Sequence, residues 1–201
     1  MRERMAAVVG ALWLAGCAST QIDAQWTNPD YSGRSLRGAP VLVACEAQEP
    51  TLQRICEDQV AGQIAALGGT PTRASQVAGS NAAPPPGTDP YVAAARRIGA
   101  RAIVRTTLTT GAIVAGPSGP TIGIGVGGGG GSVGGFGGIS FPVGGTRVSN
   151  AYASETAVID PANGAIMWSA RASSPSGPDA TTQIADLART AAGAIKQAGF
   201  F

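Results

Sequence analysis

The sequence predicts an α/β fold in which three helices pack on a mixed β-sheet of about five strands. Two patterns carry this prediction. The apolar run "PVLVAC" precedes a segment whose apolar residues recur at helical spacing, as in a buried strand that leads into an amphipathic helix. Near the other end of the chain, two strand-like runs flank "DPANG", which contains strong turn residues. The predicted order is β-α-β-α-β-β-β-α, and its alternating first half indicates a mixed sheet.

The globular domain is predicted to span residues 39–201, and its first strand covers residues 41–45. The following helix begins near Thr51 and ends at Gly68; its apolar positions are Leu52, Ile55, Cys56, Val60, Ile64 and Leu67. Residues 70–74 form the second predicted strand. The stretch "GSNAAPPPGTDP" then predicts a loop, because three consecutive prolines continue neither a helix nor a strand.

The second half begins with a short helix, which Asp89 caps and Pro90 opens and which ends at Gly99. The third strand follows as "RAIVRTTLTT". Strands over 152–159 and 165–172 form the hairpin around "DPANG", and Trp168 in this hairpin is expected in the core. The last helix is predicted over about 179–197, with one apolar face formed by Ile184, Leu187, Ala188, Ala191 and Ile195.

The chain begins "MRERMAAVVGALWLAGCAST", which has the organisation of an export signal. Arg2 and Arg4 supply positive charge, and the apolar run after them is too short for the roughly twenty residues of a membrane-spanning helix. Residues 1–16 are therefore predicted to be a removable signal peptide. Residues 17–38 are polar and turn-rich and are predicted to form a tether, with Trp26 docking on the domain.

The tetrapeptide "LAGC", which ends at Cys17, resembles the lipobox of bacterial lipoproteins. The resemblance implies cleavage before Cys17 and lipidation of its thiol, and the acyl chains would hold the protein on a membrane. Residues 18 and 19 are Ala and Ser and not the aspartate associated with inner-membrane retention. The resemblance therefore implies the periplasm-facing side of the cell outer membrane. The alternative is an ordinary secretory signal with an incidental cysteine.

Two further cysteines, Cys45 and Cys56, remain for a compartment that permits disulfides. The end of a strand and the first turn of the next helix are close enough to be bridged, and closing this short loop would add roughly 2 to 3 kcal/mol of stability. The alternatives are two separate buried thiols or a redox-active pair. The C-x-x-C spacing of a redox pair is absent.

The composition excludes several classes of function. The chain carries 14 basic and 12 acidic residues, without the basic stripe of an electrostatic nucleic-acid binder. The chain has no histidine, which excludes Ser-His-Asp and Cys-His catalytic sites and imidazole metal sites. Its one lysine is Lys196. Matches to G-x-G-x-x-G, such as Gly125, Gly127 and Gly130, lack the flanking strand and helix of a nucleotide loop. We expect no cofactor, no metal, no nucleic-acid partner and no enzymatic activity.

Paired carboxylates are the remaining route to acid-base catalysis, and the candidates are Glu57 and Asp58 with Glu46 or Glu49. Adjacent helical residues point in different directions. We therefore expect these acids to lie in a solvated first helical turn, where they suit the helix dipole. A hydrolase that uses them is the third functional alternative.

A Gly-rich excursion over residues 111–147 joins the third and fourth strands. No charged residue lies between Arg105 and Arg147. The alternatives are a disordered loop, a β-hairpin that docks a partner or self-associates, and a membrane hairpin. The alternating arms have about half the nine to eleven residues that a membrane strand needs. The candidate contact residues are Ile122, Ile124, Val126, Phe136, Ile139 and Phe141.

The element order behind a lipidated cysteine looks like the small α/β domain of several bacterial envelope proteins. These are the penicillin-binding-protein activator lipoprotein, the curli-secretion lipoprotein and the amino-terminal domain of the Tol propeller protein. The resemblance implies a fold and assigns no functional residue. We expect a non-catalytic outer-membrane lipoprotein that acts as an adaptor or binding module for another envelope component. The alternative is a subunit of an oligomeric secretion or pore assembly that uses the Gly-rich hairpin.

Overall fold

The computed structural model describes residues 19–77, 89–117, 121–124, 139–142, 146–177 and 179–201. Its strands are β1 (Gln21–Thr27), β2 (Pro40–Glu46), β3 (Thr70–Arg73), β4 (Ala102–Pro117), β5 (Thr121–Ile124), β6 (Ile139–Pro142), β7 (Thr146–Ile159) and β8 (Ile166–Ser173). Its helices are α1 (Pro50–Ala66), α2 (Ala74–Val77), α3 (Pro90–Arg97) and α4 (Ala180–Gln197), and a 3-10 turn spans Pro29–Tyr31. The predicted α/β class is confirmed.

One mixed sheet contains six of these strands in the order β1-β8-β7-β4-β2-β3. β2 runs parallel to both β3 and β4, whereas the pairs β4-β7, β7-β8 and β1-β8 are antiparallel. All five predicted strands are present, and β1 is an addition. β5 and β6 pair separately, and α2 is a further short helix.

The helix boundaries follow the local sequence signals. Asp89 accepts a hydrogen bond from the Tyr91 N–H at 2.8 Å, and Asp179 accepts from two N–H groups in the first turn of α4. Both residues therefore act as N-caps, as was predicted for Asp89. Gly68 and Gly99 have φ angles of 89° and 66°, the left-handed conformation that ends a helix without a Cβ penalty.

Helices lie on both faces of the sheet at β2. α1 packs on one face together with α4, and α2 and α3 pack on β2, β3 and β4 from the other face. Val41, Val43 and Cys45 belong to the first of these two cores, and Leu42 and Ala44 to the second; each is 0% exposed. This two-sided burial explains why the strand reads as a continuous apolar run.

The larger core lies between the sheet and the pair α1 and α4. Its largest fully buried side chains are Leu36, Ile64, Met167, Trp168, Ile184, Leu187, Ile195 and Phe200. Trp168 is 0% exposed, so its predicted core position is confirmed. The carboxyl terminus is part of the same core, because Phe200 and Phe201 are both buried.

A disulfide joins β2 to α1 in this core. Cys45, near the end of β2, is bonded to Cys56 in the second turn of α1, with a Cα–Cα distance of 6.0 Å. Both residues are at most 1% exposed. The bond closes the short connection between a strand and the helix that packs on it.

The segment predicted to be a tether instead contains the first strand of the sheet. Gln21–Thr27 forms β1, which pairs with β8. Downstream, the Asn28 N–H donates to the Met167 carbonyl at 2.9 Å, and the Leu36 N–H donates to the Phe200 carbonyl at 2.7 Å. The tether assignment is therefore wrong for this strand, whose pairing depends on a distant part of the chain, and the folded domain begins before residue 39.

Side chains reinforce this attachment at the turn between β7 and β8. The Arg34 Nη1 lies 2.7 Å from the Asp160 Oδ2, and the Asn163 side chain donates to the Tyr31 hydroxyl at 3.0 Å. The pKa of Asp160 lies below its ordinary value. Burial of the carboxylate by itself would raise this pKa, but the hydrogen bonds from the Ala162 N–H and from Arg34, together with the charge of Arg34, outweigh the effect of burial.

β4 and β7 pair beyond the end of β1. One register row crosses four strands and consists of Gln21, Ser173, Ala153 and Thr109. Beyond this row, residues 110–117 of β4 pair with residues 146–152 of β7, and the register shifts once along this part of the ladder. We call these two extensions the β4-β7 arm.

Replacing both Cys45 and Cys56 by alanine is expected to lower the free energy of unfolding by about 3 kcal/mol. The reason is that the bond restricts the unfolded chain across a sequence separation of 11. Urea unfolding without reductant measures the difference, and reduced wild-type protein should show a similar loss. Equal stability of the oxidised wild type and the double variant would contradict the disulfide.

Replacing Asp160 by asparagine is expected to destabilise the fold at pH 7 and to matter progressively less below about pH 4. The folded-state pKa of Asp160 lies below the unfolded value. Its charge therefore contributes stability above the unfolded pKa of about 3.9, and this contribution is lost as the pH falls through the folded value. Unfolding of both chains between pH 7 and pH 3 tests this, and a constant difference over the range would contradict it.

Candidate functional site

The candidate site is an exposed part of the sheet surface on β1, β8 and β7. Buried and accessible residues alternate along β8. Trp168 and Ala170 are buried in the larger core, and the residue that follows each of them, Ser169 and Arg171 respectively, is accessible to solvent. Side chains in a strand point alternately to opposite faces. The accessible side chains therefore lie on the face away from the larger core. We call this surface the open face, and its residues are Ala24, Trp26, Glu155, Ser169 and Arg171.

The strand register places the open-face residues in two rows. Arg171 lies opposite Glu155 of β7 on one side and opposite Ala24 of β1 on the other. Ser169 lies opposite Trp26 in the next row. The open face thus combines an acid, a base and an indole on three adjacent strands.

A β-bulge decides which residues of β1 reach the open face. The register shifts between Ile22 and Ala24, where Asp23 is the additional residue and accepts a hydrogen bond from the Ser173 hydroxyl at 2.9 Å. Without the bulge, Ile22, Ala24 and Trp26 would share one face. With it, Ile22 packs against the larger core while Ala24 and Trp26 belong to the open face.

Trp26 borders a shallow depression on this surface. The side chain is 51% exposed, and the depression has a volume of ≈ 340 Å³. The other lining residues are Ala24, Gln25, Glu155, Ser169, Ala170 and Arg171. An indole beside charged, amide and hydroxyl groups suits an amphipathic ligand, because the ring supplies apolar area and its neighbours supply hydrogen bonds.

β1 is also the outermost strand on this side of the six-stranded sheet. In such a strand, alternate backbone N–H and C=O groups point away from the neighbouring strand and form a template for another extended chain. The open face adjoins this edge. An extended segment paired with β1 would therefore lie beside the side chains of Gln25 and Trp26.

The paired-carboxylate candidates engage separate partners. Glu57 is 1% exposed, and its Oε2 accepts from the Ser75 N–H at 3.3 Å, whereas Asp58 forms an ion pair of 2.8 Å with Arg73. The expectation of a solvated first turn is wrong for Glu57. α1 begins at Pro50, so Glu57 lies in its second turn, against the start of α2.

Two acidic candidates remain. Glu46 lies at the end of β2 and accepts a hydrogen bond from the Thr107 hydroxyl at 3.2 Å, and Glu49 lies immediately before α1. Burial, followed by the charges of Glu46, Glu57 and Asp89, raises the pKa of Tyr91. This phenol is therefore a weaker acid than an ordinary tyrosine. In the part of the chain that the structure describes, no group of three or more His, Cys, Asp or Glu side chains is placed to hold a metal ion.

The contact residues predicted in the Gly-rich tract are described in part. Those outside the described residues are Val126 and Phe136, and the predicted lipidation site Cys17 also lies outside them. In β5 and β6, Ile122 lies opposite Phe141 and Ile124 lies opposite Ile139. The two alternating arms of the tract thus pair as short antiparallel strands.

The open face was not among the sites predicted from the sequence. A usable signal was present, because Ile22, Ala24 and Trp26 alternate with polar residues in the manner of a half-buried strand. The polar composition around them led to the tether assignment instead. As for membrane spans, no helix within the described ranges is both long enough and apolar enough to cross a bilayer.

No protein-family model and no curated protein matches the chain. Among solved structures, the PelC dodecamer from Paraburkholderia phytofirmans is 17% identical, with a TM-score of 0.48 over 85% of this chain and 96% of that chain. A variant of the same PelC gives 16% identity and a TM-score of 0.49 over 87% and 97%. Lipoprotein GNA1162 from Neisseria meningitidis is 16% identical, with a TM-score of 0.42 over 79% and 96%. At these values no residue role, assembly state or activity is transferred to this chain.

Replacing Trp26 by alanine is expected to cost about 1 kcal/mol or less, because a half-exposed cross-strand contact contributes little. Replacing Trp168 by alanine is expected to cost about 3 to 5 kcal/mol, since that side chain is fully buried. Urea unfolding of the two variants measures the contrast. Equal losses would mean that Trp26 serves the core and that the open face is not a free surface.

Proposed function

We propose that the chain is a non-catalytic binding module of the bacterial envelope, anchored through acylated Cys17 to the periplasm-facing side of the outer membrane. In this proposal it serves as an adaptor for another envelope protein. The observation that carries the proposal is the open face beside the outermost strand β1, where Trp26 is exposed although burying it would have been favourable.

The proposed partner is an extended polypeptide segment that adds to β1. Among the described residues, β1 has no strand on its outer side. Backbone hydrogen bonds to this edge would supply affinity, and side-chain contacts would supply specificity. Trp26 offers an apolar surface for one side chain of the segment, while Glu155 and Arg171 favour opposite charges at neighbouring positions. Tryptophan and arginine are enriched among the residues that dominate binding energy in protein interfaces.

A second copy of this chain is the alternative partner. The sheet ends on β1 at one side and on β3 at the other. Pairing of β1 in one copy with β3 in the next would be a head-to-tail contact, which closes into a ring or grows into a filament. The predicted alternative of an oligomeric secretion or pore subunit used the Gly-rich hairpin, whereas this contact would use the two edges of the sheet. β3 has only four residues, and Pro71 within it lacks a backbone donor, so we prefer another protein as the partner.

Metabolic labelling tests the anchor. Labelled palmitate is expected to enter the wild-type protein, and the Cys17→Ser chain is expected to lose both the label and the membrane fraction. Retention of the parent's maturation and fractionation by Cys17→Ser would contradict lipidation at this residue.

Photocrosslinking in intact cells tests the open face. A photoreactive residue replaces Gln25, which is exposed on β1, and the matched control replaces Arg54, which is exposed on α1. A specific adduct is expected only from position 25. The double change Trp26→Ala and Arg171→Ala should reduce it about tenfold or more, since each such residue is typically worth at least 1 kcal/mol in an interface.

Mass spectrometry of the adduct distinguishes the candidates. A different envelope protein supports the adaptor, and a second copy of this chain supports the oligomeric alternative. An adduct of equal intensity from both positions, or one that survives the double change unaltered, would refute binding through the open face.

A further inference from the structure

The start of β1 and the β4-β7 arm lie at the same end of the sheet. The row that marks this end runs from Gln21 across β8 and β7 to Thr109. Neighbouring strands are about 4.8 Å apart, so Gln21 and Thr109 are separated by roughly 14 Å. Cys17 is four residues before Gln21, and an extended chain spans at most about 3.5 Å per residue. The chain between the two residues can therefore span at most about 14 Å.

The arm continues past this end of the sheet. In β7 it comprises residues 146–152, which at about 3.3 Å per residue reach roughly 23 Å beyond Ala153. The chain after β8 accompanies β7 only as far as Asn150, whose carbonyl accepts from the Gly177 N–H at 3.2 Å. Among the described residues, the outer part of the arm is thus a two-stranded projection of residues 114–117 and 146–149. The arm therefore extends farther from the end of the sheet than the chain between Gln21 and Cys17 can.

The composition of the arm suits the surface of a bilayer. Its one charged residue is Arg147, opposite Gly116 in the register, and no other charge occurs between this residue and Arg105. Basic residues close to an anionic membrane surface favour attachment to it. The other arm residues bring no charge whose desolvation would oppose contact with lipid. A two-stranded hairpin leaves its outer backbone groups unpaired, which favours the hydrated interface over the hydrocarbon interior.

From this placement we infer that the β4-β7 arm contacts the bilayer that holds Cys17. The inference rests on the proposed lipid anchor and adds an orientation to it. The start of β1 and the arm face the membrane, and the turn between β7 and β8 faces away. The anchor confines the arm within reach of lipid, which is why a lipid surface is the occupant we assign. The edge of β1 then rises from the membrane and remains available to a partner.

Fluorescence from the full lipidated chain in vesicles tests the orientation. One variant, Ser149→Cys, places an environment-sensitive nitrobenzoxadiazole label on the arm, and a matched variant, Ala162→Cys, places it in the exposed turn after β7. Cys45 and Cys56 are bonded to each other and buried. The vesicles contain phosphatidylethanolamine, phosphatidylglycerol and a lipid with a nitroxide headgroup. Quenching at position 149 is expected to exceed that at position 162, because a nitroxide quenches only fluorophores that lie close to it.

Vesicle flotation separates failure of the inference from failure of the anchor. If the labelled proteins float but quenching is equal at the two positions, or stronger at 162, the arm does not face the bilayer and the inference is overturned. If neither protein floats, the lipid anchor fails and the inference fails with it. Ala115→Cys, on the facing strand of the arm, gives an independent measurement should the first label disturb folding, and quenching there no stronger than at 162 also overturns the inference.

Discussion

Unequal covering of the sheet by helices is the constraint on which the rest of the structure depends. At β2, α1 lies on one face and α2 and α3 lie on the other, so that five successive residues of this strand are fully buried. Each square ångström of apolar surface removed from water there contributes about 25 cal/mol. β8 instead packs against α4 from one side. Its sequence alternates accordingly, with Trp168, Ala170 and Ala172 in the core and Ser169 and Arg171 outside.

The same constraint accounts for the position of the candidate site. A sheet face without a helix must carry residues that tolerate water, and Ser169, Arg171 and Glu155 meet this requirement. Trp26 does not follow from it, since an indole gains nothing from exposure. The bulge at Asp23 gives this residue its position on the open face while Ile22 remains against the core. Folding and the proposed binding thus make opposite demands on adjacent parts of one seven-residue strand, and the extra residue satisfies both.

How far the sequence determines the fold can be judged from individual elements. β2, α1, α3, α4 and the turn at Asp160–Gly164 were predictable, because each carries its signal within a few residues: an apolar run, a capping aspartate, a terminating glycine or an Asn-Gly pair. β1 was not predicted, because its stability comes from pairing with β8, about 145 residues later in the chain. The composition of residues 21–27 does not indicate which strand pairs with them. Glu57 was misjudged for a related reason, since its burial depends on α2, which folds back from another part of the chain. The open face could not be predicted for the same reason, because it is formed only where β1, β8 and β7 pair with one another.

Attachment of the amino-terminal segment also determines how the domain carries load. Traction applied upstream of Gln21 along the axis of β1 stretches the hydrogen bonds to β8 side by side, so that several must break together. Traction across the sheet would open them one after another and would meet little resistance. Behind the strand, the Arg34–Asp160 ion pair and the backbone bond from Leu36 to Phe200 form a second fastening. The direction of a force applied to the amino terminus, as well as its magnitude, therefore determines whether the domain unfolds.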